Sequence, residues 1–246
     1  MSRENAKSPV NAILLDAGGV MLFPAPELVL PPLRTAGVDP SPADLIRAHY
    51  RAMANGDEPG RQPPSGQWWF EYLRDYVAAC GVPPGDVDAV AADIVGLTQG
   101  FSWTYVGPGV EDALRGIAAC GVPLGIVSNS TGEVEQVLRR LDVCYALDGS
   151  ADAGGCRGVE VGVVIDSAVV GVSKPDPRIF GLALDALGVP AAASGTVVHV
   201  GDSLRYDVTG ALAAGVRPLH LDPYGFCPVP DGHEHLRRLD ELISVI

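Results

Sequence analysis

From Gly107 onward, short continuous apolar runs alternate with stretches of helical periodicity, and this alternation restricts the chain to a parallel α/β sheet. Val110 to Cys120 is patterned as an amphipathic helix closed by Gly121, and residues 123–128 as an apolar strand. A helix over 131–141, a strand over 161–166, a helix over 175–187 opening at Pro175 and a strand over 196–201 follow. A helix through Ala214 and a short strand at 217–221 complete the series. Strands that are apolar along their whole length, not at alternate positions, must be covered on both faces. Residues 11–16 supply one more such strand, which runs into a Gly18-Gly19 turn. The predicted core is therefore a doubly wound, Rossmann-like parallel sheet.

Between Phe23 and Tyr105 the pattern changes to Pro-punctuated helices with no convincing strand. Ser41-Pro42 opens one helix with a capping residue and Pro at its first position. Another starts at Trp68-Trp69 and stops near Gly81. The expected organisation is an α/β core of residues 9–22 and 106–246, interrupted by a helical cap over 23–105. The first eight residues read as a frayed tail, and the Gly-rich stretch 148–158 as a mobile loop.

Three of the apolar strands end on a residue able to do chemistry: Asp16, Ser128 followed by Asn129, and Asp202 within Gly201-Asp202-Ser203. Ligands of open α/β sheets bind outside the carboxyl ends of the strands. Lys174 in Ser173-Lys174-Pro175-Asp176 follows a fourth strand by a short turn, and Asp207 lies one helical turn beyond Asp202. Alone, an aspartate after a strand is more often a turn or cap residue. Together, two carboxylates, a hydroxyl and an ammonium on one sheet edge are the parts that hold a phosphoryl group on Mg²⁺. The choice of lysine is informative, because the chain has two lysines, Lys7 and Lys174, against fifteen arginines. A site wanting a compact ammonium explains the exception.

In order and placement, these motifs resemble the haloacid dehalogenase-like hydrolase superfamily, in particular phosphatase-type members with a helical cap inserted after the first motif. Lys174-Pro175-Asp176-Pro177 and Gly201-Asp202 through Asp207 are the least ambiguous parts of the resemblance. It implies that Asp16 is the nucleophile that forms an aspartyl-phosphate. Ser128 and Asn129 would bind a phosphoryl oxygen, and Lys174 would neutralise charge on nucleophile and phosphoryl group. Asp16, Asp202 and the backbone carbonyl of Gly18 would hold Mg²⁺, with Asp207 a direct or outer partner. The Ala17-Gly18-Gly19 amides are expected to cradle the anion, an approach glycine permits.

One position departs from the pattern: Gly18 stands where such enzymes usually carry a second aspartate. That group protonates the leaving oxygen and then activates water, a contribution of roughly 10²–10⁴ in rate. Its absence leaves three readings: substrates with good leaving groups, an acid borrowed from the cap, or weak catalysis. A phospholigand-binding protein without turnover is the alternative from another class, and a dehalogenase acting on carbon is a further one. A phosphonate hydrolase would need a cap lysine, and residues 23–105 contain none.

The remaining features bound the partners. A net charge of −13 and a pI near 4.6 argue against nucleic acid and anionic membrane. Five scattered cysteines without a C-x-x-C suggest reduced thiols in a cytoplasm. A small phosphorylated metabolite is the expected substrate, met by a monomer or homodimer. His233-Glu234-His235 is read as a solvated tail rather than a metal site, and His199 as a buried histidine with a hydrogen-bond partner. Trp68, Trp69 and Tyr72 are read as cap core, with lining of a substrate pocket as the functional alternative. His49, Arg47, Arg51 and Arg61 are candidate cap contributors to recognition.

Overall fold

The computed structural model describes residues 9–61, 68–97, 103–147 and 155–246. The tail over 1–8 and most of the 148–158 loop, both singled out above, lie outside the described residues. The strands are β1 (Ala12–Leu15), β2 (Leu22–Pro24), β3 (Trp103–Val106), β4 (Leu124–Ser128) and β5 (Cys144–Ala146), followed by β6 (Val159–Val161), β7 (Val163–Asp166), β8 (Val197–Gly201), β9 (Arg217–Leu221) and β10 (Glu234–Leu236). Six of them form the main sheet in the order β10-β9-β8-β1-β4-β7, and every pairing in it is parallel. The expected α/β class is thus observed.

Alternation along β1 explains why both faces are covered. Ala12 and Leu14 enter one apolar cluster with Val127, Ile179 and Phe180. Ile13 and Leu15 point the other way, into a cluster with Leu114, Ile126, Leu138 and Val200. Helices α5 (Val110–Ala118) and α6 (Val134–Arg140) cover the second face, and α7 (Arg178–Ala186) covers the first. Full burial of each such side chain is worth roughly 1.5–3 kcal/mol, and this holds the sheet edge rigid under the site. The sheet lies on the chain's central strand: β1 sits between β8 and β4, so the carboxyl ends of all three meet at one edge.

Helices α1 (Pro26–Thr35), α2 (Pro42–Gly56), α3 (Trp68–Ala79) and α4 (Val87–Leu97) pack around their own cluster, which includes Leu33, Leu45, Leu73, Tyr76 and Ile94. Helix α2 starts where its sequence says it should. The Ser41 side chain accepts the Asp44 N–H at 3.2 Å, the Asp44 carboxylate accepts the Ser41 N–H at 3.0 Å, and Pro42 takes the first turn.

Residues 23–105 are not strand-free, however. Leu22–Pro24 and Trp103–Val106 pair antiparallel as a two-stranded ribbon at the base of the helices, apart from the main sheet. Three- and four-residue strands are too short to show a period, and Pro24 disguises the first. The 161–166 run is likewise two strands: β6 pairs with β5, and β7 is the edge of the main sheet. At the other edge, Glu234–Leu236 is a paired strand and not a tail. No helix among the described residues is long and apolar enough to cross a membrane.

Candidate active site

The site is assembled from the strand ends. Asp16 follows β1, Ser128 ends β4, and Asp202 follows β8, so strand order alone brings them together. Asp16 is locked at both carboxylate oxygens: Oδ1 accepts the Ala17 N–H at 2.6 Å, and Oδ2 meets Lys174 Nζ at 2.7 Å. The same ammonium reaches Asp207 Oδ1 at 2.6 Å. With a side chain only 1% exposed, Lys174 is a buried cation held between two carboxylates.

Its position is set from the backbone. The Asn129 side-chain amide accepts the Lys174 N–H at 2.8 Å and donates to the Lys174 carbonyl at 3.0 Å. The Asn129 side chain therefore serves the anion site through Lys174. Asp207 is fixed on the other side, where Oδ1 also meets His199 Nε2 at 2.8 Å and Oδ2 accepts the Ser203 N–H at 3.1 Å. His199 is a fully buried histidine with a partner, as its sequence setting implies. A Cβ on Gly201 would collide with the Asp207 side chain, so glycine is required there.

Charge follows from this packing. Burial drives the Asp16 carboxyl up to about 7, with Asp207 and Asp202 adding to the rise and Lys174 opposing it. Burial also acts against ionisation of Asp207, but Lys174 and His199 hold it below the usual carboxylate range. Burial alone would depress the Lys174 ammonium, yet Asp16 and Asp207 keep it above its ordinary value. One lysine faces three carboxylates, Asp16, Asp202 and Asp207, whose oxygens lie within 4.8 Å of one another. A donor set of hard oxygens with surplus negative charge fits a divalent cation such as Mg²⁺. Asp207 is already shared among Lys174, His199 and the Ser203 N–H, which leaves Asp16 and Asp202 as the better direct ligands.

The turn after Asp16 is more fully committed than the sequence implies. The Ala17 N–H is on Asp16, and the Gly19 N–H donates to the Leu22 carbonyl at 2.9 Å. Two of the three amides expected to cradle an anion thus already have acceptors. Gly19 has φ +69°, and a Cβ there would run into the Asp202 carboxylate and His49. Above Gly18 lies the Trp103 indole, 3.2 Å from where a Cβ would stand.

The wall opposite the sheet comes from the inserted helices. His49, on α2, is fully buried; its Nε2 lies 2.7 Å from Asp202 Oδ2 and its Nδ1 lies 3.0 Å from the Tyr72 hydroxyl. Met53, Trp68, Trp69 and Trp103 line a cavity of about 660 Å³ whose floor is the acidic cluster. Tyr72 instead belongs to the helical core. Among the described lining residues, Lys174 is the one permanent cation. Arg47 and Arg51 lie over the Phe226 ring, and Arg61 pairs with Asp75 at 2.7 Å, so none of these three arginines lines the cavity.

A sequence model of the haloacid dehalogenase-like hydrolases matches residues 10–215. This chain belongs to that family. The haloacid dehalogenase-like hydrolase domain-containing protein 3 of Bos taurus is 32% identical over 179 residues, which are 69% of this chain and 63% of the bovine one. The chain thus spans less than two thirds of that relative. A phosphoserine phosphatase of Thermus thermophilus is 47% identical over 60 residues, 24% of this chain and 23% of its own length. Among solved structures, the magnesium-bound HAD-hydrolase YfnB of Bacillus subtilis superposes with a TM-score of 0.58 at 15% identity, covering 97% of this chain and 99% of that one. Likeness at that identity is one of fold.

Two parts of this haloacid dehalogenase-like hydrolase carry no signal in the motifs. Trp103 reaches Gly18 from the far end of the insertion. Asp57, the residue ending α2, grips the loop after Asp202: its carboxylate accepts Ser203 Oγ at 3.1 Å, Leu204 N–H at 2.6 Å and Arg205 N–H at 3.1 Å. Arg205 returns the contact by donating to the carbonyls of Gly56 and Arg61. Burial raises the Asp57 carboxyl to about 6. The gripped segment, Leu204–Val208, is a π-helical turn, a form found mostly at functional sites.

Proposed function

We propose that the chain is a Mg²⁺-dependent phosphatase of a small organic phosphomonoester, with residues 23–105 acting as the cap that selects the substrate. The observation that carries this reading is the Lys174 ammonium seated between Asp16 and Asp207 within a three-carboxylate cluster at the cavity floor. Chemistry on carbon, as in a dehalogenase, has no use for a second metal-binding carboxylate such as Asp202. A phosphatase among the relatives supports the same choice.

In this reading Asp16 attacks phosphorus, the bond to the ester oxygen breaks, and the phosphoryl group passes to the carboxylate. Lys174 and the Ser128 hydroxyl hold the equatorial oxygens, and the rigid sheet edge keeps nucleophile and phosphorus in line. Water then attacks the aspartyl-phosphate, releasing inorganic phosphate and restoring Asp16. Asp16, Asp202 and the Gly18 carbonyl would hold Mg²⁺, which when bound would neutralise charge on the phosphoryl oxygens. The cap wall of tryptophans and methionine, without a second cation among the described residues, suits an uncharged, flat or apolar organic group better than a polyanion. The compartment that suits its unpaired cysteines is the cytoplasm, with neither nucleic acid nor membrane as partner.

A second reading, phospholigand binding without turnover, is favoured by one observation: Gly18 brings no acid–base carboxylate to the site. Phosphate release from a panel of aryl and alkyl phosphomonoesters, with Mg²⁺ and with chelator, separates the two. Turnover with Mg²⁺ that disappears in Asp16→Asn, with the fold retained, is the expected result. Halide release from a 2-haloacid at an undiminished rate in excess chelator would overturn the phosphatase reading.

A further inference from the structure

On the outer edge of the sheet, four side chains converge that play no part in the chemistry above: His220, Cys227, His233 and His235. Their candidate donor atoms lie within 4.8 Å of one another. Strand pairing produces the convergence, because His235 on β10 is the register partner of His220 on β9 and parallel neighbours place both side chains on one face. The loop between these strands returns Cys227 and His233 to the same point. Its turn is fixed by the Asp222 carboxylate, which accepts the N–H of Phe226 at 2.8 Å and of Cys227 at 3.3 Å.

We infer that this cluster is a structural Zn²⁺ site with a closed His₃Cys ligand set. The tautomers are set by the surroundings. His220 Nε2 lies 3.1 Å from the Asp202 carbonyl and His235 Nε2 lies 3.2 Å from the Pro230 carbonyl. A carbonyl accepts only, so each of these nitrogens carries its proton, and each ring turns a lone pair at Nδ1 toward the cluster. Metal-binding histidines are held in this way, with the second nitrogen on a carbonyl or carboxylate. His235 Nδ1 is buried and, among the described residues, has no hydrogen-bond partner; the nearest carboxylate oxygen, of Asp222, is 3.8 Å away.

The spacing fits the ion. Tetrahedral zinc with its usual bond lengths places nitrogens about 3.3 Å apart and nitrogen about 3.6 Å from sulfur. His220 Nδ1 and His233 Nε2 are 3.2 Å apart, and His233 Nε2 is 3.8 Å from Cys227 Sγ. Borderline-soft thiolate and imidazole ligands in a four-coordinate set select zinc over magnesium, which takes hard oxygens. The thiol now donates to the Val229 carbonyl at 3.2 Å, and zinc would displace that proton. The site clasps the β10 edge to β9 and, through His220, bears on the backbone of Asp202.

The full chain, stripped with chelator and dialysed into excess Mg²⁺ to fill the acidic cluster, is titrated with Zn²⁺ and, separately, with Co²⁺. One zinc per chain should be retained through gel filtration, with a rise in melting temperature. Cobalt should give the intense visible bands of a tetrahedral centre and a near-ultraviolet thiolate charge-transfer band. Cys227→Ser should abolish that band and weaken zinc binding by more than the 10–100-fold that follows loss of an outer-shell partner. Failure to retain zinc, a weak octahedral cobalt spectrum, or a charge-transfer band that survives Cys227→Ser would overturn the assignment. So would zinc binding that vanishes in Asp202→Asn, since the metal would then belong to the acidic cluster.

Discussion

Replacing Lys174 with methionine tests the electrostatic core of the site without opening a cavity, since the two side chains are similar in volume. The ammonium stands 2.7 Å from Asp16 and 2.6 Å from Asp207, and its side chain is 1% exposed. Each contact corresponds to about 6 kcal/mol of attraction at an effective dielectric near 20, before desolvation is subtracted. Removing one partner of such a buried network costs about 3–5 kcal/mol, because the remaining charges are left uncompensated. That is a large share of a typical domain stability of about 5–15 kcal/mol. The sign of the pH dependence follows from the carboxylates. In the parent, Asp207 titrates below its ordinary range, so its contribution is present above the unfolded value and is lost as pH falls through the folded one. Without Lys174 its folded value moves up, and the native variant takes up a proton that the unfolded chain does not. The deficit should therefore be largest near pH 8 and shrink by about 1.4 kcal/mol per pH unit once that proton binds. Urea unfolding of parent and Lys174→Met at pH 8 and pH 5 measures it, and adding Asp207→Asn should recover part of the loss at pH 8. A deficit below about 1 kcal/mol, or one of equal size at both pH values, would refute a buried ammonium held by two ionised carboxylates.

Other outcomes follow from the same geometry. Because burial raises the Asp16 carboxyl to about 7, Mg²⁺ competes with a proton there, and its apparent association should weaken about tenfold per pH unit below 7; a flat profile by calorimetry from pH 8 to pH 5.5 would remove Asp16 from the ligand set. Restoring the missing carboxylate by Gly18→Asp should lower activity, since Trp103 stands 3.2 Å from the new Cβ, whereas Gly18→Asp with Trp103→Ala should raise steady turnover toward the roughly 10²–10⁴ that acid–base help contributes. Equal effects of the single and double substitutions would show that the indole does not guard that place. In the parent, rapid mixing with an aryl phosphate should give a burst near one product per site and then slow turnover, as water attack limits the rate; linear release with no trappable phosphoenzyme would overturn this and point either to a cap residue such as His49 supplying the missing function or to a slow first step.

What could be read in the sequence was whatever depended on local pattern and strand ends. Asp16, Ser128 and Asp202 could be placed on one edge because apolar runs of four to five residues mark buried strands, and parallel strands share a carboxyl edge. Lys174 stood out by composition. Contacts joining residues some 150 positions apart left no trace, as with His49 on Asp202 or Asp57 on the N–H groups of Leu204 and Arg205. An isolated histidine in an amphipathic helix and an aspartate ending it look like surface polarity until the helix is docked. The three-residue strand Glu234–Leu236 is hidden among prolines and glycines, so His233 and His235 read as a tail, with nothing to join them to Cys227 or to His220 on the 217–221 strand, which they meet in space.

Gly18 shows why a motif and its context have to be weighed together. From the first motif alone, a glycine in the aspartate's place looks like a lost function. In the fold, the space is not left open: the Trp103 ring lies over it, and the same ring meets His49 edge-on with centroids 5.2 Å apart. Trp103 in turn belongs to the ribbon strand that pairs with Phe23 and Pro24 just beyond the nucleophile turn, so its position is fixed by the backbone. An aromatic ring set 3.2 Å from where a Gly18 Cβ would stand is a shaped surface, and an eroded site would more readily keep a void at that place. The surface continues through Trp69 and Trp68, tilted and stacked on one another and on Tyr72, to the mouth of the cavity. On the proposed phosphatase reading, such a wall suits a flat ring, and a flat aryl leaving group is also the kind that departs without a proton. On the proposed reading, the missing carboxylate and the aromatic wall over its place favour the same kind of substrate, a phosphomonoester of an aryl or similarly acidic alcohol.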